Sequence, residues 1–460
     1  MERKVAWRDY TDADRAALNQ VSARYMDFLN RGKTERECVT ETVRLAEEKG
    51  YRSLDAKIAS GEKLNAGEKL YANWMGKSIM LFIVGKAPME NGINILGAHI
   101  DSPRMDVKQN PLYEDGGFAY LDTHYYGGIK NYQWVALPLA LHGVVAKKDG
   151  TVVTISVGED DNDPVFCISD LLIHLGHKQM GKNASEVIEG EQLDVIIGGS
   201  PLKDEEKDAV KANVLKLLKD KYDFEEEDFL SAEIEVVPAG KARDLGFDRA
   251  LILGYGHDDR VCAYAQLEAM FDIDTVPEKT VCCILADKEE IGSVGATGMR
   301  ARYFENAMAE LMEMNGETGD LKLRRALSRC AMLSCDVSAG FDPMFAGAFE
   351  KKNSAYLGRG VCFNKYTGSR GKSGSNDANA EFVARVRRVM DEGGVAFQTA
   401  ELGKVDQGGG GTIAYICALY GMDVIDSGVA VLNMHAPWEI ISKADLYEAY
   451  KGYKAFVLNA

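Results

Sequence analysis

The chain opens with helical periodicity. In ADRAALNQVSARYMDFLNRG and CVTETVRLAEEKG the apolar positions recur every three or four residues, which predicts helix through residues 11–75. The pattern then changes to the continuous apolar runs SIMLFIVGK and INILGAHI, whose length and β-branched content predict buried strands. From about residue 106, strand-and-turn texture takes over. GFAYLDTHYYGGIKNYQW, HGVVAKKDGTVVTISVG and LDVIIGGSP are broken by Gly and Asp-Gly turns, and a charged helix is predicted over 205–222.

From about residue 248, strands and helices alternate again. LILGYG, the helix DDRVCAYAQLEAMF, TVCCILA, a helix near 297–314, CAMLSCD, the helix AEFVARVRRVMDEGG and GVAVLNMH follow in turn. Alternation of this kind predicts an α/β fold with a mostly parallel sheet flanked by helices. The expected organisation is a first part of that domain at 1–105, an inserted and partly β domain at 106–244, and a second part at 245–460.

Composition narrows the class. With 46% hydrophobic and 27% charged residues among 460, this is ordinary globular material, and a net charge of -17 disfavours nucleic acid and anionic membrane as partners. The charged N-terminus lacks the apolar core of a signal peptide, and runs such as YQWVALPLALHGVVA are too short and interrupted to span a bilayer. Nine cysteines with no CxxC suit buried thiols in a reducing compartment, so a cytoplasmic location is expected.

The chemistry gathers at strand ends. His99 follows INILGA and His435 follows GVAVLNM, while Asp287, Glu289 and Glu290 come after VCCILA and Asp336 after AMLSC. Asp258 and Asp259 stand between a Gly-rich turn and a helix. Ligands of open α/β sheets bind beyond the carboxyl ends of the strands, so these groups are expected on one rim. Taken singly each has an ordinary explanation: a hydrogen-bonded histidine, a helix cap, a solvated turn. Their joint placement points instead to a catalytic site for two divalent ions, Zn with Mn or Co as alternatives, held without cysteine. If Asp258 is shared, each ion receives one histidine and one further carboxylate, and the net positive centre favours hydroxide over water for amide hydrolysis. Glu289 and Glu290 diverge as neighbours, so one can ligate while the other acts as general base. Asp101, two residues beyond His99, is placed to orient that imidazole.

GAHIDSPR (97–104), GYGHDDRVCAYAQLEAM (254–270), DKEEIGSVGATG (287–298), SCDVSAGFDP (334–343) and MHAPWEI (434–440), in that order, resemble the M18 metallopeptidases, the aspartyl aminopeptidase family. GSNDANAEF (374–382) and DQGGGGTI (406–413) look like that family's substrate-side loops. The resemblance implies His99, Asp258, Glu290, Asp336 and His435 as metal ligands, with Asp258 bridging and a cis peptide before Asp259. It implies Glu289 as general base and Asp101 as the group behind His99. It also implies a homo-oligomer, a tetrahedral dodecamer built through the insert, and a histidine of that insert reaching a neighbouring subunit's site. His174 matches that position, as a substrate-contacting or metal-associated residue, the alternative being a histidine on a helix face.

The implied function is removal of N-terminal residues from peptides, with a preference for Asp or Glu. Such a preference needs a cation, and Lys365, Arg370, Lys372 and Lys404 flank the two loops. The alternatives are a broad aminopeptidase for neutral or basic residues, a metal-dependent carboxypeptidase or deacylase, and a non-catalytic assembly protein.

Overall fold

The structure is a computed structural model that describes residues 4–460. It divides into two compact units. The first runs to Asp101, resumes over Ala242–Met434 and ends with Glu439–Ala460; the second comprises Ser102–Lys241 and His435–Trp438.

The first unit is organised by a nine-stranded sheet. Its middle consists of Ser78–Ile83 (β1), Asn94–His99 (β2), Val281–Ala286 (β3), Ala331–Cys335 (β4) and Asp423–Gly428 (β5), in the order β1-β3-β2-β4-β5. β3, β2, β4 and β5 are parallel, and β1 is antiparallel to β3. Further antiparallel pairings flank these strands, where Lys69–Trp74 joins β1 and Val361–Asn364 joins β5.

Continuous apolar runs form these strands because both faces are covered. In β1, Ile79, Leu81 and Ile83 enter one hydrophobic cluster and Met80 and Phe82 enter another. The first cluster is closed by residues of the helices Asp12–Arg31, His257–Phe271 and Lys443–Asn459, the second by those of Tyr303–Met314, Asp320–Ser328 and Ala414–Ala418. Each fully buried Leu, Ile or Phe contributes roughly 1.5–3 kcal/mol, so the strands are fixed by burial rather than propensity.

Three features depart from the sequence pattern. Residues 69–74, which the periodicity assigns to helix, form the strand Lys69–Trp74 paired with β1. A turn with Met75 and Gly76 at positive φ turns this segment back on β1, and tertiary pairing overrides its helical spacing. LILGYG and GVAVLNM do form strands, Leu251–Gly254 and Ala430–Leu432, but these lie in a separate five-stranded sheet with Glu439–Ser442. β5 itself goes unrecognised in the sequence, because Asp423, Asp426, Ser427 and Gly428 give it the composition of a loop.

The second unit is a six-stranded antiparallel sheet with the helix Ala209–Tyr222. Its hairpin Leu139–Ala146 to Val152–Val157 turns at Asp149-Gly150, where the Asp149 carboxylate accepts from the Thr151 amide at 2.8 Å. Among the described residues no helix is long and apolar enough to cross a membrane.

Candidate metal centre

The strand ends β2, β3 and β4 deliver His99, the 287–290 turn and Asp336. Asp258 and Asp259 arrive from the start of the helix His257–Phe271, where both depart from helical φ/ψ and the peptide between them is cis. The Asp258 amide donates to Glu439 at 3.0 Å, which fixes that departure from outside the helix.

His99 is the centre of the cluster and is buried. Its Nδ1 lies 3.0 Å from the Asp101 carbonyl, so Nδ1 carries the proton and donates. Nε2 of the neutral ring is then an acceptor, yet it faces Asp258 Oδ1 at 3.2 Å, Asp336 Oδ1 at 3.8 Å and Glu289 Oε2 at 4.0 Å. A lone pair surrounded by carboxylates is stable only with a cation between them. Burial by itself lowers the imidazole pKa, but Asp101, Asp258 and Asp336 outweigh it and hold His99 well above its ordinary value. A proton is one answer to this arrangement; a divalent ion is the other. The donor set fits the second: His99 with Asp258 and Asp336, and His99 with Glu289 and Glu290, each place their ligand atoms within 4.8 Å of one another.

Asp101 does more than stand behind His99. Its two carboxylate oxygens accept the backbone amides of Glu289 and Glu290, both at 3.1 Å, so it ties the β2 end to the β3 end. Nothing in the sequence spacing signals that second role. Glu289 is pushed up to about 8, first by burial and then by the charge of Asp336. A divalent cation held by the cluster would act with opposite sign and favour the ionised form a base needs. Asp259 is fully buried, and burial, with the charge of Asp336 adding to it, holds its carboxyl well above its ordinary value. His257 by contrast is saturated, accepting from Tyr25 at 2.6 Å and donating to the Ile252 carbonyl at 3.2 Å, with burial holding it near 3. It is a neutral structural histidine.

The other candidates are described by their own surroundings. His435 belongs to the second unit, where its Nδ1 donates to the Gly128 carbonyl at 2.7 Å and leaves Nε2 as the acceptor. His174 is exposed on a turn that precedes the short helix His177–Met180, so it occupies no helix face. Lys365 and Lys372 are both paired with Asp377, the latter at 2.9 Å, and Lys372 also lies 3.9 Å over the Tyr366 ring. Arg370, Lys372 and Lys404 line a cleft of about 210 Å³ together with Glu401 and Asp406. Lys365 lines a different one.

The family model described as Aminopeptidase I zinc metalloprotease (M18) matches residues 28–457. The chain belongs to the M18 aminopeptidase family. It is 60% identical over 459 residues to a probable M18 family aminopeptidase 1 of Clostridium acetobutylicum, covering 100% of this chain and 98% of that one. The crystal structure of an M18 aminopeptidase from Thermotoga maritima superposes with a TM-score of 0.95 at 46% identity, and aminopeptidase I from C. acetobutylicum with 0.92 at 58%, each over 100% of both chains. This M18 protein is accordingly a metallo-aminopeptidase, hydrolysing peptide bonds at the N-terminus.

Proposed function

We propose that this M18 enzyme works with two divalent ions, Zn in the first instance with Mn or Co as substitutes. His99, Asp258, Glu290, Asp336 and His435 would hold them, Asp258 serving both. The observation that carries this reading is the His99 Nε2 lone pair directed at several carboxylates in a buried site. Bound ions would supply polarisation of the scissile carbonyl and a lower pKa for the attacking water. Glu289 takes the proton from that water and returns it to the leaving amine. Asp101 fixes the His99 ring and, through two amide contacts, the backbone that carries Glu289 and Glu290.

The substrates are peptides with a free N-terminus. A preference for Asp or Glu would draw on the cations Arg370 and Lys404, since Lys365 and Lys372 already share Asp377. A broad preference for neutral or basic residues is the alternative, favoured by the acidic Glu401 and Asp406 in the same cleft. The exposed apolar run Leu171, Leu172, Ile173 and Leu175 supports a homo-oligomer, a dodecamer in this reading, in which His174 meets a neighbouring subunit. Nine free cysteines, eight of them buried, fit the cytoplasm.

The test is an assay on anilides of Asp, Glu, Leu, Met and Arg, with metal content measured alongside. Chelator-sensitive release with two ions per chain is expected; one ion per fully active chain would sink the dinuclear reading. The ratio of Asp to Leu turnover decides the preference, and native mass spectrometry decides the oligomer.

A further inference from the structure

The strand missed in the sequence, β5, carries a buried acid that the metal centre does not use. Asp426 is 3% exposed in the middle of the central sheet. It stands in register with Ser334 on β4 and Asn364 on the other side, forming a polar row across three strands. Ser334 is two residues before Asp336, so the row lies one strand repeat below that candidate ligand and on the same face. Burial, with the charge of Asp336 adding to it, raises the Asp426 carboxyl to about 7. A carboxyl in such a place is costly, which calls for a reason beyond packing.

The reason lies in what β5 holds. Asp426 Oδ1 accepts from the Thr412 hydroxyl at 2.5 Å, and Thr412 directly follows the Gly408–Gly411 run. One turn of strand earlier, the Val424 carbonyl accepts from the Asn376 side chain at 2.6 Å, at the end of the other Gly-rich segment. The two segments meet where the Gly410 amide donates to the Thr367 carbonyl at 3.0 Å. The segments that continue both walls of the 210 Å³ cleft are therefore each tied to one strand by a side-chain hydrogen bond. The 401–411 wall is a tightly folded loop, since a Cβ on Gly408 would fall 1.6 Å from the Leu402 carbonyl. Its N-terminal end is held separately, the Glu401 amide donating to the Asn353 carbonyl at 2.6 Å and the Glu401 carboxylate accepting from the Tyr366 hydroxyl at 2.5 Å, so Thr412 governs the C-terminal end.

We infer that Asp426 is a positioning residue: through Thr412 it sets the 401–411 wall of the cleft and with it the affinity for peptide. This rests on the reading of these loops as substrate-side. The latch is an oxygen-to-oxygen hydrogen bond to a buried acid, and its loss releases the loop without touching the metal ligands.

The experiment uses the full-length, metal-loaded enzyme and compares Thr412→Val, Thr412→Ser, Asp426→Asn and Asp426→Leu on Leu and Asp anilides. Thr412→Val is expected to raise KM about tenfold, with kcat held within about twofold and metal content unchanged. Thr412→Ser is expected to restore KM, because it restores the donor. Trypsin cleavage after Lys404 should quicken about tenfold in Thr412→Val, an effect that a purely local packing role would not produce. Should Asp426→Leu fail to fold, the half-buried Thr412→Val carries the test alone. A Thr412→Val enzyme with wild-type KM and wild-type cleavage at Lys404 overturns the inference, as does loss of metal in step with activity. Wild-type protein that releases no anilide sinks the enzymatic reading and the affinity role together, while the cleavage rate still reports separately on the latch.

Discussion

Two buried polar clusters, one in each unit, are built from similar residues and do different things. In the first unit His99 contacts Asp101, Asp258, Asp336 and Glu289 through one imidazole. In the second, Arg104 meets Glu235 at 3.1 Å and Asp106 at 2.9 Å, with its guanidinium 3.9 Å over the Tyr126 ring. A guanidinium brings a permanent charge and several fixed donors, so its acids are answered within the fold. An imidazole brings one charge at most, and only when protonated. The first cluster is thus poised for a cation from solution, and the second is closed. An excess of buried carboxylate over fixed cation distinguishes a binding site from a structural salt bridge more sharply than burial does.

Removing the external cation should break this comparison most strongly. A chelator is expected to lower turnover by about a thousandfold or more, restored by Zn, while leaving far-ultraviolet dichroism intact. Retention of activity in chelator would put the two clusters in the same structural class. Glu289→Gln follows, with kcat expected to fall by about 10²–10⁴ at unchanged metal content, read by steady-state kinetics beside metal analysis.

In the closed cluster, Arg104→Met leaves Glu235 buried and without its guanidinium. That variant should lose about 3–5 kcal/mol of stability in denaturant titration, yet bind metal normally. Adding Glu235→Leu should recover part of the loss, and no recovery would contradict the pairing. Asp101→Asn is next. It keeps the side chain's shape but weakens its acceptance of two amides, and metal affinity should drop about 10–100-fold by competition with a chelating dye. The smallest effect is expected from Lys404→Met, within about 0.5 kcal/mol of wild type in stability. A change in the Asp-to-Leu turnover ratio would be its only signature.

How much of this was readable beforehand depends on the kind of interaction. INILGAH and VCCILAD announce buried strands with polar groups at their ends, because a run of apolar residues this short has few other uses. The resemblance to M18 enzymes, carried by GAHIDSPR and DKEEIGSVGATG, is likewise local text. Lys69–Trp74 reads as helix because six residues are too few for spacing to separate the two periods, and its pairing with β1 decides for strand. Strand β5 reads as a loop because of its Asp, Ser and Gly, and only the neighbouring strands supply the polar row, Ser334 and Asn364, that accommodates Asp426. The four loop cations looked equivalent in sequence, and only Asp377 divides them into paired and available sets.

The sequence by itself determined the α/β class, the family and the set of residues able to ligate, since these follow from side-chain type and short-range pattern. Tertiary structure decided which strands share a sheet, that Asp101 binds the amides of Glu289 and Glu290, and that Asp426 holds Thr412. Those are contacts between residues far apart in the chain, and a hydrogen bond with an optimum near 2.8 Å is specified by geometry that composition and spacing do not encode.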